Sequence, residues 1–365
     1  MPDREAQEAA DQARRRKRRT AARPPVRAGR VRAIDVARHA GVSSATVSLV
    51  LNGIADGRVS TEVQERVRNA IGELGYVVDL SARSLVTGRR HCVALVARDI
   101  TNPTISQIAS GVSSVLGSEN QLLLAISGDR ASDPGLDQVV AFGVDGFLLH
   151  CPSPSQLEAI PKGTPTVLLD HPARGSTSAR IAYDSRKGAV ELAAHLVQHG
   201  HRRIVYLDAV RAARTFALRR QFFIDEIRRL DPTVMIERLS GEVSLESAHQ
   251  LAVENWETWR DSEITAVTTA ADVQAYGLIS GLDSLGVSIP GHLSIASFDN
   301  SAFSAIVRPP LTSVDLPAAE MGRLGAQMLL KLVSGGESNP ANRTVELPTA
   351  LIVRESTGPA QRIDA

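Results

Sequence analysis

The chain is poor in cysteine: Cys92 and Cys151 are the only two in 365 residues, and each sits inside an apolar run. That excludes a disulfide framework and a four-thiolate zinc site, and it fits a reducing compartment. No apolar stretch reaches the length of a membrane span, and the opening MPDREAQEAADQARRRKRR lacks the apolar core of a secretory signal. A cytoplasmic protein without a membrane partner is therefore expected. Signatures of common catalysts are also missing. No GxGxxG or Walker loop follows an early strand, and no GxSxG elbow occurs. His195, His199 and His201 cluster at one helix end, but no Glu follows His195 to complete a zinc-protease pattern. An enzyme is not expected, and neither is a metal or cofactor.

What is present is a globular composition, 43% hydrophobic and 22% charged, in a chain too long for one ordinary core. A small module joined to a larger one is expected. The net charge of +1 hides an asymmetry. Residues 1–90 hold 18 basic against 10 acidic residues, a net of +8, and the remainder holds 23 against 30, a net of −7. A basic head on an acidic body suggests a polyanion-binding module attached to something that need not touch the polyanion.

Residues 1–30, rich in Arg, Ala and Pro, read as a disordered basic arm. Order begins near Val31. Ile34–Ala40 predicts a short helix, Gly41-Val42 a turn, and Ser43–Leu51 a second helix capped by Ser43. Ser60 caps a third helix whose Val63, Val67, Ala70, Ile71 and Leu74 share one face, and Gly75 ends it. Three short helices with Gly in the first tight turn match a helix-turn-helix unit. Val36, Ala37, Val47 and Val50 are its expected small core.

From Cys92 onward short apolar strands alternate with amphipathic helices. The strands are predicted at 92–96, 122–126, 146–149, 166–169, 180–183, 204–207, 266–269 and 293–298, with helices including 105–116, 185–198, 273–284 and 321–333. Repeated βα units imply parallel sheets with helices on both faces. About 265 residues of this pattern suffice for two lobes, with a ligand crevice at the carboxyl ends of the strands.

The segment AIDVARHAGVSSATVSLVLNG (33–53), then RVSTEVQERVRNAIGELGY and ARSLVTGR, closely resembles the LacI (lac repressor-like) family of transcriptional regulators. The likeness continues through DITNP (99–103), VDGFLL (144–149), GHRRI (200–204), SFDN (297–300), PPLTSVDLPAAEMGRLGAQMLL (309–330) and LPTALIVRES (347–356). It implies a sequence-specific DNA-binding regulator, most often a repressor, acting as a homodimer on a pseudo-palindromic operator in double-stranded DNA. It also implies allosteric control by a small effector, such as a sugar, bound between the lobes of a periplasmic-binding-protein-like body. The expected organisation is a basic arm (1–30), a helix-turn-helix domain (31–78), a hinge helix or linker (79–90), an effector and dimerisation domain (91–358) and a tail (359–365). Within the body, the first lobe is expected at about 91–182 and 316–345, the second at about 183–315 and 346–358. The chain ends soon after LPTALIVRES, so a dimer without a tetramer-forming tail is expected.

The resemblance places the second helix in a major groove. Ser44 and Ala45 stand at its start, where base edges are reached, and Leu49 lies one turn on. Many relatives carry Arg at the position of Leu49; here only an apolar contact, for example to a thymine methyl, is available. Arg32, Ser43, Thr46, Ser48, Asn52, Ser81 and Ala82 complete the candidate DNA contacts. Leu85 matches the hinge Leu that wedges into the minor groove and kinks the duplex. Val78-Asp79 departs from the Pro-Asn usual in relatives.

In the body, Asp170, Asp184, Asp272 and Asp299 match acidic cleft or crossover positions, with Asn102 and Ser127 on the same rim. Carboxylates suit a cleft because each accepts hydroxyl or amide hydrogen bonds in a fixed geometry; each Asp here also fits a strand-end or helix-cap role. Two departures matter. The Arg that relatives place three residues before a Gly-aromatic pair falls on Leu218, with Gln221 at the Gly, and the Asn of an Asn-Asp pair is Ala271. Arg219 offers a substitute one residue later, although a helix step of about 100° turns it elsewhere. An effector that is neutral or cationic follows from losing that guanidinium. A transport binding protein shares the two-lobed body, but it needs an export signal and has no use for residues 31–90.

Overall fold

The computed structural model describes residues 31–51, 53–76, 89–118, 120–127, 134–171, 178–210, 214–336 and 344–361. The expectations for the basic arm, Asn52, Ser81, Ala82 and Leu85 lie outside the described residues. Two units are separated, 1–88 and 89–365.

Among the described residues the first unit holds three helices, α1 (Ala33–Ala40), α2 (Ser44–Leu51) and α3 (Thr61–Leu74). Their ends are fixed locally. Asp35 accepts from the Arg32 N–H at 3.0 Å, Ser43 Oγ from the Thr46 N–H at 3.1 Å, and Ser60 Oγ from the Val63 N–H at 3.4 Å. Each supplies an acceptor to a helix-start donor that has no intrahelical partner. Gly41 (φ 64°) and Gly75 (φ 60°) close α1 and α3 in the left-handed region, which glycine enters without steric cost. Val36, Ala37, Ala40, Val47, Val67 and Ala70 form the core, and Val50 packs half-buried against it.

The second unit contains two six-stranded sheets. The strands are β1 (Cys92–Ala97), β2 (Gln121–Ile126), β3 (Gly146–His150), β4 (Thr166–Leu169), β5 (Ala179–Tyr183), β6 (Arg203–Ala209), β7 (Met235–Gly241), β8 (Ala266–Thr269), β9 (Ser294–Asp299), β10 (Thr312–Asp315), β11 (Thr344–Leu347) and β12 (Ala350–Ile352). The first sheet runs β11-β5-β4-β3-β1-β2 and is wholly parallel; the second runs β12-β10-β9-β8-β6-β7, with only β12 antiparallel. Strands such as CVALVA bury every residue because helices cover both faces of a parallel sheet. The chain passes between sheets after β5, after β10 and after β11.

Nine helices of the second unit are described: α4 (Pro103–Leu116), α5 (Pro134–Phe142), α6 (Pro154–Ala159), α7 (Ser185–Gln198), α8 (Arg214–Leu230), α9 (Leu245–Asp261), α10 (Asp272–Ser284), a 3-10 turn (Ala302–Ala305) and α11 (Ala318–Val333). The helices α4 and α11 pack backbone to backbone. A Cβ added at Gly111 would run into the Ala319 carbonyl, and one at Gly322 into the Ile108 carbonyl. The edge strand β7 and the strands β10 to β12 were not anticipated, since MIERLSG and its counterparts carry no apolar run long enough to stand out.

Candidate functional site

In the first unit α2 buries Val47 and leaves Ser44, Ala45 and Ser48 exposed, with Thr46 and Leu49 half-exposed. Positions 44, 45 and 48 share one side of a 3.6-residue helix, so Ser44 and Ala45, predicted for base edges, and Ser48, predicted for phosphate or groove contacts, lie outside the unit's own core. Ser43 is partly engaged in capping: its hydroxyl meets Thr46 Oγ1 at 2.9 Å as well as the Thr46 N–H. Arg32 is exposed at the start of α1.

In the second unit the carboxyl ends of β3, β4 and β9 converge on one buried cluster. Three non-glycine residues there adopt positive φ: Cys151 (47°), Asp170 (48°) and Asp299 (117°). Such conformations cost of order 1–3 kcal/mol each and concentrate where a structure holds side chains for a purpose. Asp170 accepts from Thr215 Oγ1 at 3.0 Å and from Arg219 Nη2 at 3.0 Å, while Arg219 Nη1 lies 3.9 Å from Asp299 Oδ1. Asp170 follows β4 of the first sheet, Asp299 ends β9 of the second, and Arg219 lies on α8, which follows β6 of the second sheet, so the guanidinium links the ends of the two sheets. It also faces the rings of Phe216, Tyr183 and Phe298 at 5.4–6.0 Å.

Burial opposes the charge on Arg219, but the Asp170 and Asp299 carboxylates outweigh it and hold the guanidinium protonated. Burial pushes the Asp299 carboxyl up to about 8, with the charge of Asp272 adding and Arg219 opposing. Three buried polar atoms of this cluster lack a hydrogen-bond partner among the described residues: Tyr183 OH, Arg219 Nε and Asp299 Oδ2. Buried polar groups are normally satisfied, so the cluster is built to receive further donors and acceptors.

Arg219 corrects the expectation that this guanidinium is lost. The buried face of α8 carries Thr215, Arg219, Phe223 and Ile227 at steps of four, and Arg219 is 3% exposed. Leu218 is half-buried and Gln221 exposed. The aromatic packed inward is Phe223, so the fitting register runs one residue later, with Phe222-Phe223 at the Gly-aromatic position. The stripe 215/219/223/227 was visible in the sequence and fixes the helix phase better than the missing glycine does.

The remaining candidates separate. Asp272 is 1% exposed and accepts from the Ser301 N–H, Ser304 Oγ, Ser313 Oγ and Tyr276 OH, all in its own lobe. Its oxygens are already engaged, and burial raises its pKa despite those bonds. Asp184 caps α7 through the Arg186 and Lys187 N–H groups, and Asn102 caps α4 through Thr104. Ser127 is buried and accepts from Gln156 Nε2. Ala271 is buried before α10 with no side-chain cap. The histidines serve packing: His195 Nε2 meets Thr357 Oγ1 at 2.8 Å, and His201 bridges Thr265 Oγ1 and the Gly358 carbonyl. Sequence reasoning missed Thr215, Tyr183 and Phe298, which carry no motif and meet only through the fold.

Two family models match the chain. Residues 34–79 match the bacterial regulatory proteins of the lacI family, and residues 193–357 match a periplasmic binding protein-like domain. The HTH-type transcriptional repressor PurR of Vibrio vulnificus is 28% identical over 330 residues, covering 88% of this chain and 97% of its own length. A LacI family regulator from Enterococcus faecium, solved with bound ribose, is 25% identical with a TM-score of 0.65, covering 74% of this chain and all of its own. The lac repressor dimer bound to operator and the anti-inducer ONPF is 23% identical with a TM-score of 0.75, covering 90% and 99%. The two matches stand in order along one chain, which therefore carries a helix-turn-helix domain of the bacterial lacI regulatory family joined to a periplasmic-binding-protein-like domain.

Proposed function

We propose that this protein is a sequence-specific, DNA-binding transcriptional repressor that acts as a homodimer in the cytoplasm and is controlled by a small molecule held between its lobes. Its work is binding rather than catalysis. The observation that carries the reading is the exposed face of α2, where Ser44 and Ala45 are exposed and Leu49 half-exposed on a helix held by caps at its own start and at both neighbours. Phosphate contacts from the basic N-terminal region supply affinity, and α2 supplies selectivity. Leu85 is the proposed minor-groove wedge, and Leu85→Ala is expected to remove most of the operator bend.

The effector reading rests on Asp170, Arg219 and Asp299. Two carboxylates accept hydroxyl hydrogen bonds, the guanidinium donates them, and Tyr183, Phe216 and Phe298 offer ring faces to apolar C–H groups. That set suits a sugar or another polyhydroxy molecule. With Arg219 present, an anionic substituent is also accommodated, so the effector is not restricted to neutral or cationic compounds. A ligand that takes over groups from the Asp170–Arg219 pair alters how the sheets meet, and DNA affinity changes by the reciprocal factor.

Two-fold symmetry of the operator requires a two-fold protein. The edge strand β2 and helix α5 expose Leu124, Ile126 and Phe142 around a shallow apolar groove, the proposed face for the second copy. Selection of bound duplexes from a random pool tests the function. A two-fold symmetric consensus is expected, and a pool without enrichment would contradict the reading.

A further inference from the structure

The ends of β3 and β4 bring three different ligand-bearing side chains together, His150 half-buried and Cys151 and Asp170 buried. His150 Nε2 lies 3.7 Å from Cys151 Sγ, Cys151 Sγ lies 3.6 Å from Asp170 Oδ2, and one ligand atom from each residue falls within 4.8 Å of the others. Metal bonds of roughly 2.3 Å to sulfur and 2.0–2.2 Å to nitrogen or oxygen, at tetrahedral angles, set neighbouring ligand atoms roughly 3.3–3.6 Å apart. Two of the three edges already stand near that spacing. The backbone contributes as well: Cys151 and Asp170, whose side chains meet, both hold left-handed φ values that a non-glycine residue adopts at a cost. No sequence motif announces the cluster, because positions 150, 151 and 170 are joined only by the parallel pairing of His150 with Leu169.

We propose that His150, Cys151 and Asp170 form a three-ligand site for one zinc-class transition-metal ion, leaving a fourth coordination position for solvent or an effector atom. The ligand set selects the metal. Thiolate and imidazole favour zinc, cobalt or copper, whereas magnesium and calcium seek oxygen alone. On binding, the Cys151 S–H proton leaves to solvent and a metal–sulfur bond takes its place, with no change of oxidation state. Asp170 Oδ2 is also the oxygen that Arg219 holds at 3.0 Å. Ion and guanidinium therefore compete for one carboxylate, and metal loading loosens the tie between the sheets. This makes the protein responsive to a metal ion in addition to an organic effector.

Cobalt(II) titration of the purified full-length chain reads the site directly, because cobalt–thiolate ligation gives a near-ultraviolet charge-transfer band. One equivalent per chain with that band is expected, with zinc displacing the cobalt and bleaching it. The band should persist in Cys92→Ser, disappear in Cys151→Ser, and need at least about tenfold more cobalt in His150→Ala. Circular dichroism checks that each variant is folded, and the His150→Ala shift decides the matter should Cys151→Ser fail that check. Saturation without a thiolate band, a band that survives Cys151→Ser or vanishes with Cys92→Ser, or an unshifted His150→Ala titration overturns the proposal. None of these readings involves DNA, so they stand apart from the test of operator binding.

Discussion

Arg219 shows how much one side chain can decide in this molecule. A guanidinium that is 3% exposed against the buried Asp170 carboxylate is not an economical source of stability, since taking an ion pair out of water costs several kcal/mol for each charge. Removing it leaves the buried Asp170 carboxylate without a counter-charge. Arg219→Met is therefore expected to destabilise the second unit by about 3–5 kcal/mol in urea unfolding; a loss under about 1 kcal/mol would mean the carboxylate is otherwise compensated. Leu49 makes the complementary point on DNA. It is half-exposed on the proposed reading face of α2 and has no hydrogen-bonding group. Leu49→Arg should shift the base selected at its position toward guanine by about 1–3 kcal/mol. Selected sites unchanged by that substitution would place Leu49 away from the bases.

At the scale of elements, most of the fold was legible in the sequence. Helices α7 and α10 and strands β4 and β8 announced themselves through amphipathic periodicity and apolar runs, because one face of a helix or both faces of a parallel strand must be buried. The site was legible only in part. Asp170 and Asp299 were reached by resemblance, but a motif match says nothing about which oxygens are already engaged. Asp184 and Asp272 look alike in sequence and differ from Asp299 only through neighbours that tertiary structure supplies. Arg219 was misjudged because a missing glycine displaced the register by one.

Glycines test the helix packing. Gly111→Ala or Gly322→Ala drives a methyl into a neighbouring backbone carbonyl across the α4–α11 contact. Each is expected to cost about 3 kcal/mol or more, beyond ordinary overpacking, since backbone cannot swing aside. Gly72→Ala in α3 meets no atom within 4 Å and should stabilise the first unit by about 0.5–1 kcal/mol. Thermal unfolding of the three variants distinguishes these signs.

For the whole molecule, pH exposes the buried histidines. Burial lowers His195 and His201 to about 4, below their ordinary value of 6.5. The unfolded chain therefore binds protons that the folded one refuses. Stability is full above about pH 6.5 and falls as pH drops toward 4, by at most about 3 kcal/mol for each ring. Urea unfolding of His201→Gln should show a shallower acid slope than the parent chain. The dimer is tested at the β2 edge, where Leu124→Lys with Ile126→Glu places charge in the apolar groove. Sedimentation should show dissociation, and operator affinity should fall with it.

The central claim is specific, electrostatically anchored recognition of a two-fold DNA site, and binding isotherms across a salt series address it most directly. Affinity of the full-length chain for its selected palindrome is expected to drop by about 10³–10⁵ between 50 and 200 mM salt if about six to ten phosphates are neutralised per dimer. At each salt concentration the palindrome should bind at least about 10³-fold more tightly than a scrambled duplex. Equal affinity for the two duplexes, or an isotherm indifferent to salt, would contradict the account.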